Sequence, residues 1–246
     1  MTKCTLTSLR HCMWQFMMVL TLNESEMKLK TPFRMVISGP SGSGKTSFCY
    51  DLIKAQNYML EKPVRRILYF YMDMNPVIER IAKLEFVEVI KGFNYDLIED
   101  HDGGPEGLWV LIDDHINTNI FEQLANIFCM KSRSKNINIT YLSQNLFSRA
   151  KNAKDYNRMI LLNSSVSVLF DNRRDETIAT HIARTAFPRR YKWFLQSYRE
   201  ACDLNKSGHG YIMIQSDPGT RREVELRTRI FFKTEVPVLF WERNER

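Results

Sequence analysis

Gly39-Pro40-Ser41-Gly42-Ser43-Gly44-Lys45-Thr46, followed by Ser47, is the stretch of this chain best suited to chemistry. It fits G-x-x-x-x-G-K-[ST], a loop that holds phosphate. Glycines let the backbone curl so that several N–H groups converge into an anion-binding nest. A helix starting at the loop adds the positive end of its dipole. Lys45 brings a mobile charge to the β- and γ-phosphates of a nucleotide, and the Thr46 hydroxyl suits Mg²⁺. Two polar strand ends complete the set. Asp113-Asp114 close the apolar run Leu108-Trp109-Val110-Leu111-Ile112 and read as a Walker B strand. Adjacent acids at such a position are costly unless solvated or metal-bound. Asp113 is therefore read as a Mg²⁺ holder acting through water, and Asp114 as the base that orients and deprotonates an attacking water. Gln144 closes a later apolar run, where an amide can bond both the γ-phosphate and the lytic water. A nucleoside triphosphate with Mg²⁺ is the expected ligand.

These groups need strands that end at one sheet edge and helices that cover the sheet. Met35-Val36-Ile37 makes a strand over 33–38 before the loop, and Ser47 to Leu52 continues as a helix to about Leu60. Arg65–Tyr71 reads as a second strand, Val77–Leu84 as a helix, Phe86–Ile90 as a strand and Tyr95–Glu99 as a helix. After the loop His101–Pro105 comes the Asp113 strand, then helical spacing from Asn119 to Cys129. A basic loop, Lys131–Lys135, precedes the Gln144 strand. Ser165–Phe170 is a strand, Asp175–Ala186 and Tyr191–Ala201 are helices, and Tyr211–Ile214 and Val224–Phe232 are strand-like. Strands alternating with helices predict an α/β fold with a mostly parallel sheet. Residues 1–31 form an extension expected to be helical, and 32–246 form the nucleotide-binding domain.

The bulk properties narrow the class. A formal charge of +7 favours a polyanionic partner. Cys4, Cys12, Cys49, Cys129 and Cys202 are scattered without a C-x-x-C pair, which argues against zinc and a disulfide framework and for a reducing compartment. The apolar run Cys12–Leu22 is too short to span a membrane and has no small-residue cleavage site after it, so no membrane partner is expected. It reads as an amphipathic helix suited to packing on a neighbouring subunit.

GPSGSGKT, WVLIDD and NITYLSQNLF, in that order, resemble the FtsK–HerA superfamily of DNA-pumping ATPases. The likeness is to its viral branch, the genome-packaging ATPases of poxviruses, adintoviruses and Polinton (Maverick) elements. It runs from about Pro32 to Phe232 and includes Ser132–Phe147, Leu161–Asn163, Leu169–Asp175 and Gly210–Ile212. The resemblance implies a P-loop NTPase core of the additional-strand (RecA-like) type, with the Gln144 strand between the P-loop and Walker B strands. It implies a ring of five or six subunits acting on double-stranded DNA at a capsid vertex or portal, inside an infected cell. It also implies an arginine finger from the neighbouring subunit. Arg133 is the candidate, and Lys135 and Arg149 compete with it. Many superfamily members carry Glu as the second acid where this chain has Asp114. Residues 1–31 lie outside the likeness.

A motor indifferent to sequence should grip backbone phosphates. Arg149, Lys151, Lys154 and Arg158 follow Gln144 as DNA-binding candidates. Lys131, Arg133 and Lys135, or Arg221, Arg222, Arg227 and Arg229, are alternatives. Tyr191–Tyr198 reads as core or interface, and His101 and His209 receive no role. GPSGSGK also resembles the P-loop of guanylate-type kinases, which lack the late Asp-Asp and Gln-ended strands. A nucleotide kinase and a weakly hydrolysing DNA-binding switch stay open beside the motor.

Overall fold

Buried strands need hydrogen-bond partners on both sides and apolar cover on both faces. The apolar runs of this chain meet both demands in one nine-stranded sheet. The computed structural model describes residues 23–113, 120–144, 146, 153–172, 175–204 and 209–241. The first half holds α1 (Glu24–Met27), β1 (Arg34–Ser38), α2 (Lys45–Lys54), α3 (Gln56–Met59), β2 (Arg66–Tyr71), α4 (Pro76–Ile81), β3 (Val87–Lys91), α5 (Asp96–Glu99) and β4 (Leu108–Asp113). Then come α6 (Phe121–Asn126), a π-helical turn (Ile127–Lys131), β5 (Ile137–Ser143), α7 (Ala153–Asn163) and β6 (Val166–Phe170). The chain continues with α8 (Thr177–Ala186), α9 (Tyr191–Leu204), β7 (Tyr211–Gln215), β8 (Leu226–Thr228) and β9 (Val238–Phe240).

The strand order is β3-β2-β4-β5-β1-β6-β7-β8-β9. All pairings from β3 to β6 are parallel, and β7, β8 and β9 are added antiparallel. β5 therefore sits between β1 and β4, as the resemblance implies. Leu142 is in register with Ile37 on one side and Asp113 on the other. That register sets the start of the P-loop about two strand spacings, roughly 10 Å, from Asp113.

Strand side chains alternate between faces, so a strand covered on both sides is apolar at every position. β4 shows this: Trp109 and Leu111 pack with α2 residues Phe48, Leu52 and Ile53, while Leu108, Val110 and Ile112 pack with Phe121, Leu124 and Phe128. Asp113 continues the face of Trp109 and Leu111, and so reaches the side where α2 lies. α8 and α9 close the antiparallel end through Ala183, Phe194, Tyr198 and Ala201. Phe187 and Phe194 stack 4.9 Å apart, and Phe194 and Tyr198 are buried, so the 191–198 aromatics are largely core.

Elsewhere the sequence expectations shift. Lys131–Ser134 is helical rather than a loop, because the π turn runs directly into the Ser132–Ser134 turn and the buried Ser132 hydroxyl donates to the Ile137 carbonyl at 2.8 Å. The strand expected over Val224–Phe232 shrinks to Leu226–Thr228, because Arg229 takes a left-handed backbone with φ of 52°. The helix after Pro76 is shorter than expected; the Asn75 side chain caps it by accepting from the N–H groups of Val77 and Ile78. Packing begins before residue 32. Met27 and Leu29 are buried, and the Leu29 N–H donates to the Met59 carbonyl at 2.7 Å. Among the described residues no helix is long and apolar enough to cross a membrane.

Candidate nucleotide-binding site

The P-loop leaves β1 at Ser38 and turns under itself into α2. The Gly39 N–H donates to the Ser143 carbonyl at 3.2 Å, fastening the loop to the end of β5. Gly39 is required by crowding: a Cβ there would lie 2.6 Å from the Phe170 Cβ and 2.8 Å from the Ser43 Oγ. Gly44 is required by backbone shape, since it stands at the N-cap of α2 with φ of 100°. Beyond it, the first N–H groups of α2 open toward the loop.

Lys45 is buried, and its ammonium donates to the carbonyls of Gly39 (2.7 Å) and Pro40 (2.9 Å). The Thr46 hydroxyl donates to Asp113 Oδ2 at 3.0 Å, and the Tyr69 hydroxyl donates to the same oxygen at 2.6 Å. Tyr69 is fully buried in β2. Burial, with the Asp113 carboxylate second, pushes its phenol well above the usual range, so it stays a donor. Sequence reading missed Tyr69, because an aromatic residue in an apolar strand carries no signal of a carboxylate partner 44 positions away.

A cleft of about 780 Å³ opens over these groups. Ser41, Gly42, Gly44, Lys45, Thr46 and Ser47 form its floor, and Asp113 and Gln144 stand beside them. Its far rim is Tyr71–Ile78, where Met72 and Met74 are exposed. The volume is within the range of small-ligand sites, roughly 300–1,000 Å³. The structure thus brings together Lys45, Thr46, Asp113 and Gln144 from two strand ends and one helix start. Thr46 Oγ1 and Asp113 Oδ2 are hard oxygen donors close to one another, which suits Mg²⁺, an ion that keeps most of its waters. Among the described residues no group of three His, Cys, Asp or Glu side chains is gathered for a metal.

The remaining candidates are placed as follows. Asp114, Arg149 and Lys151 lie outside the described residues, as does the side chain of Lys154, whose backbone is in α7. Arg158 is exposed on α7. Arg133 is exposed in the turn before β5, at the amino edge of the sheet, whereas the P-loop follows the carboxyl edge. Lys131 pairs with the Glu99 carboxylate, and the Lys135 ammonium donates to the Glu99 carbonyl, so both tie α5 to this turn. The C-terminal basic cluster is not one surface. Arg227 is fully buried, donating to the Met27 carbonyl (3.1 Å) and Gln215 Oε1 (2.7 Å), and desolvation lowers its pKa to about 10. Arg221 pairs with Glu26 at 2.8 Å, and Arg229 donates to the Leu204 carbonyl at 2.6 Å. His209, given no role by the sequence, lines the cleft.

Together the sheet order and the cleft define a P-loop NTPase domain of the additional-strand type. No protein-family model and no curated protein sequence matches the chain. Solved structures that align with it include EccC of Thermomonospora curvata (ATPases 2 and 3, with a signal-sequence peptide), at 12% identity and a TM-score of 0.42 over 62% of this chain and 31% of that one. EssC of Geobacillus thermodenitrificans (ATPases 2 and 3) aligns at 12% identity and 0.38, over 56% and 32%. The genome-packaging NTPase B204 of Sulfolobus turreted icosahedral virus 2, in complex with ATP-gammaS, aligns at 13% identity and 0.39, over 75% and 93%. The aligned part of this chain spans about a third of the EccC and EssC chains.

Proposed function

We propose that this protein is an ATP-driven double-stranded DNA translocase that packages a viral genome into a capsid, firing at subunit interfaces of a five- or six-membered ring inside an infected cell. The observation that carries the reading is the position of β5 between β1 and β4, which sets Gln144 in the cleft with Lys45, Thr46 and Asp113. In this reading the P-loop N–H groups and Lys45 hold the phosphate chain. Thr46 and Asp113 would hold Mg²⁺, which would neutralise charge on the phosphates. Gln144 orients the lytic water, and Asp114 takes its proton. Arg133 reaches the neighbouring subunit's nucleotide; its place on the sheet edge away from its own P-loop fits a finger acting in trans, a device that can raise rates roughly 10³–10⁵-fold. Arg149, Lys151, Lys154 and Arg158 contact DNA phosphates, and the capsid vertex or portal anchors the ring.

Steady-state ATPase activity of the purified protein, with and without long duplex DNA, tests this reading. Duplex should stimulate turnover, and Lys45→Ala or Arg133→Ala should abolish the stimulation. Arg133→Ala subunits mixed into wild-type rings should poison them. Turnover indifferent to DNA but dependent on a nucleoside monophosphate acceptor would replace the motor with a kinase. Asp114→Asn should bind ATP yet lose turnover in a motor, and change little in a switch.

A further inference from the structure

His209 forms part of the cleft wall that the phosphate-binding pattern does not account for. β7 runs antiparallel to β6, so it enters the sheet at the edge where β1 and β6 leave it, with Tyr211 opposite Phe170. A residue just ahead of β7 is therefore delivered beside the P-loop. Gly210 sets the approach. Its carbonyl accepts from the Asp171 N–H at 2.8 Å, and a Cβ there would lie 2.6 Å from the Cys202 Cα in α9. His209 Nδ1 then stands 3.0 Å from the Ser43 carbonyl oxygen. Its ring covers Gly44, where a Cβ would lie 3.0 Å from Nδ1. A carbonyl only accepts, so Nδ1 carries a proton in this contact and Nε2 is left at the other edge of the ring. His209 lines the same cleft as Lys45 and Thr46.

We propose that His209 is a nucleotide-binding residue: Nδ1 braces the P-loop at Ser43, and the Nε2 edge meets the phosphate chain of the bound nucleoside triphosphate. Donating through both ring nitrogens at once, His209 acts in this contact as the imidazolium. The inference rests on the reading of the cleft as a nucleoside triphosphate site. Through Gly210 it also joins nucleotide occupancy to α9 and β7, a part of the sheet remote in sequence from the P-loop.

Displacement of a fluorescent nucleotide analogue by ATP and by ADP, with the full chain, tests it. His209→Ala should weaken both nucleotides about tenfold, the loss expected for a hydrogen bond to a charged group. His209→Asn keeps an amide nitrogen near the place of Nδ1 and should recover only part of that loss. His209→Gln, with its amide near the place of Nε2, should recover a different part. Wild-type affinity in His209→Ala would overturn the proposal, and full recovery in His209→Asn would overturn the contact through Nε2. Melting temperatures without nucleotide identify any variant that has simply lost its fold; the Asn and Gln variants then decide the question. Failure of the wild-type chain to bind either nucleotide would overturn the underlying reading instead.

Discussion

Removing one oxygen from Tyr69 should disturb the cleft more than its buried place in β2 suggests. Tyr69→Phe keeps the ring in the core and deletes only the hydroxyl that donates to Asp113 Oδ2 at 2.6 Å. A hydrogen bond to a charged group contributes roughly 1.5–3 kcal/mol, and the cost is larger where a buried carboxylate is left with fewer donors. Asp113 is only 7% exposed, so water makes up little of the loss. For a domain of this size each kcal/mol shifts the melting temperature by about 2–4 °C, which sets the expected drop at roughly 3–12 °C. The second effect falls on metal use. Groups that orient a ligating carboxylate typically carry about 10–100-fold in metal affinity or activity. Tyr69→Phe should therefore raise the Mg²⁺ concentration needed for half-maximal ATP turnover by about tenfold or more. Calorimetry without nucleotide and a Mg²⁺ titration of turnover read the two effects separately. A variant that melts and titrates like the wild type would refute the view that Tyr69 orients Asp113.

Three other perturbations follow from the surroundings of Gln144, Gly39 and Asp217. Gln144→Ala should leave nucleotide affinity unchanged while lowering turnover by roughly 10²-fold, the usual loss for one group aligned with the transition state, as single-turnover kinetics would report. Gly39→Ala drives a methyl group toward the Phe170 Cβ and the Ser43 Oγ and should destabilise the fold by about 1–3 kcal/mol in urea unfolding. Asp217 is half-buried, and desolvation raises its carboxyl pKa above the usual value. The folded chain then holds this proton more tightly than the unfolded chain does, so stability falls as pH rises from the unfolded carboxylate value of about 4 through the higher folded one. Asp217→Asn should remove that slope, and urea midpoints measured across this window would show it.

The floor of the cleft was legible because it is local. The run from Gly39 to Ser47 carries its own geometry, and the apolar strands ending in Asp113 and Gln144 announce where they stop. Alternating strands and helices likewise determined the α/β class. What neither spacing nor composition could settle is which strands lie side by side. The insertion of β5 between β1 and β4 was reached only through a family resemblance, and the sheet register shows it directly. The same limit explains three contacts that the sequence did not reveal. Tyr69 meets its carboxylate across a strand pairing, His209 reaches the P-loop because β7 turns antiparallel, and Arg227 is buried where charge alone suggested a surface. Local sequence therefore determined the phosphate nest and the strand ends, since their conformations follow from the residues that form them. The tertiary structure decided the supporting contacts, because hydrogen bonding and burial between distant segments depend on sheet order and register.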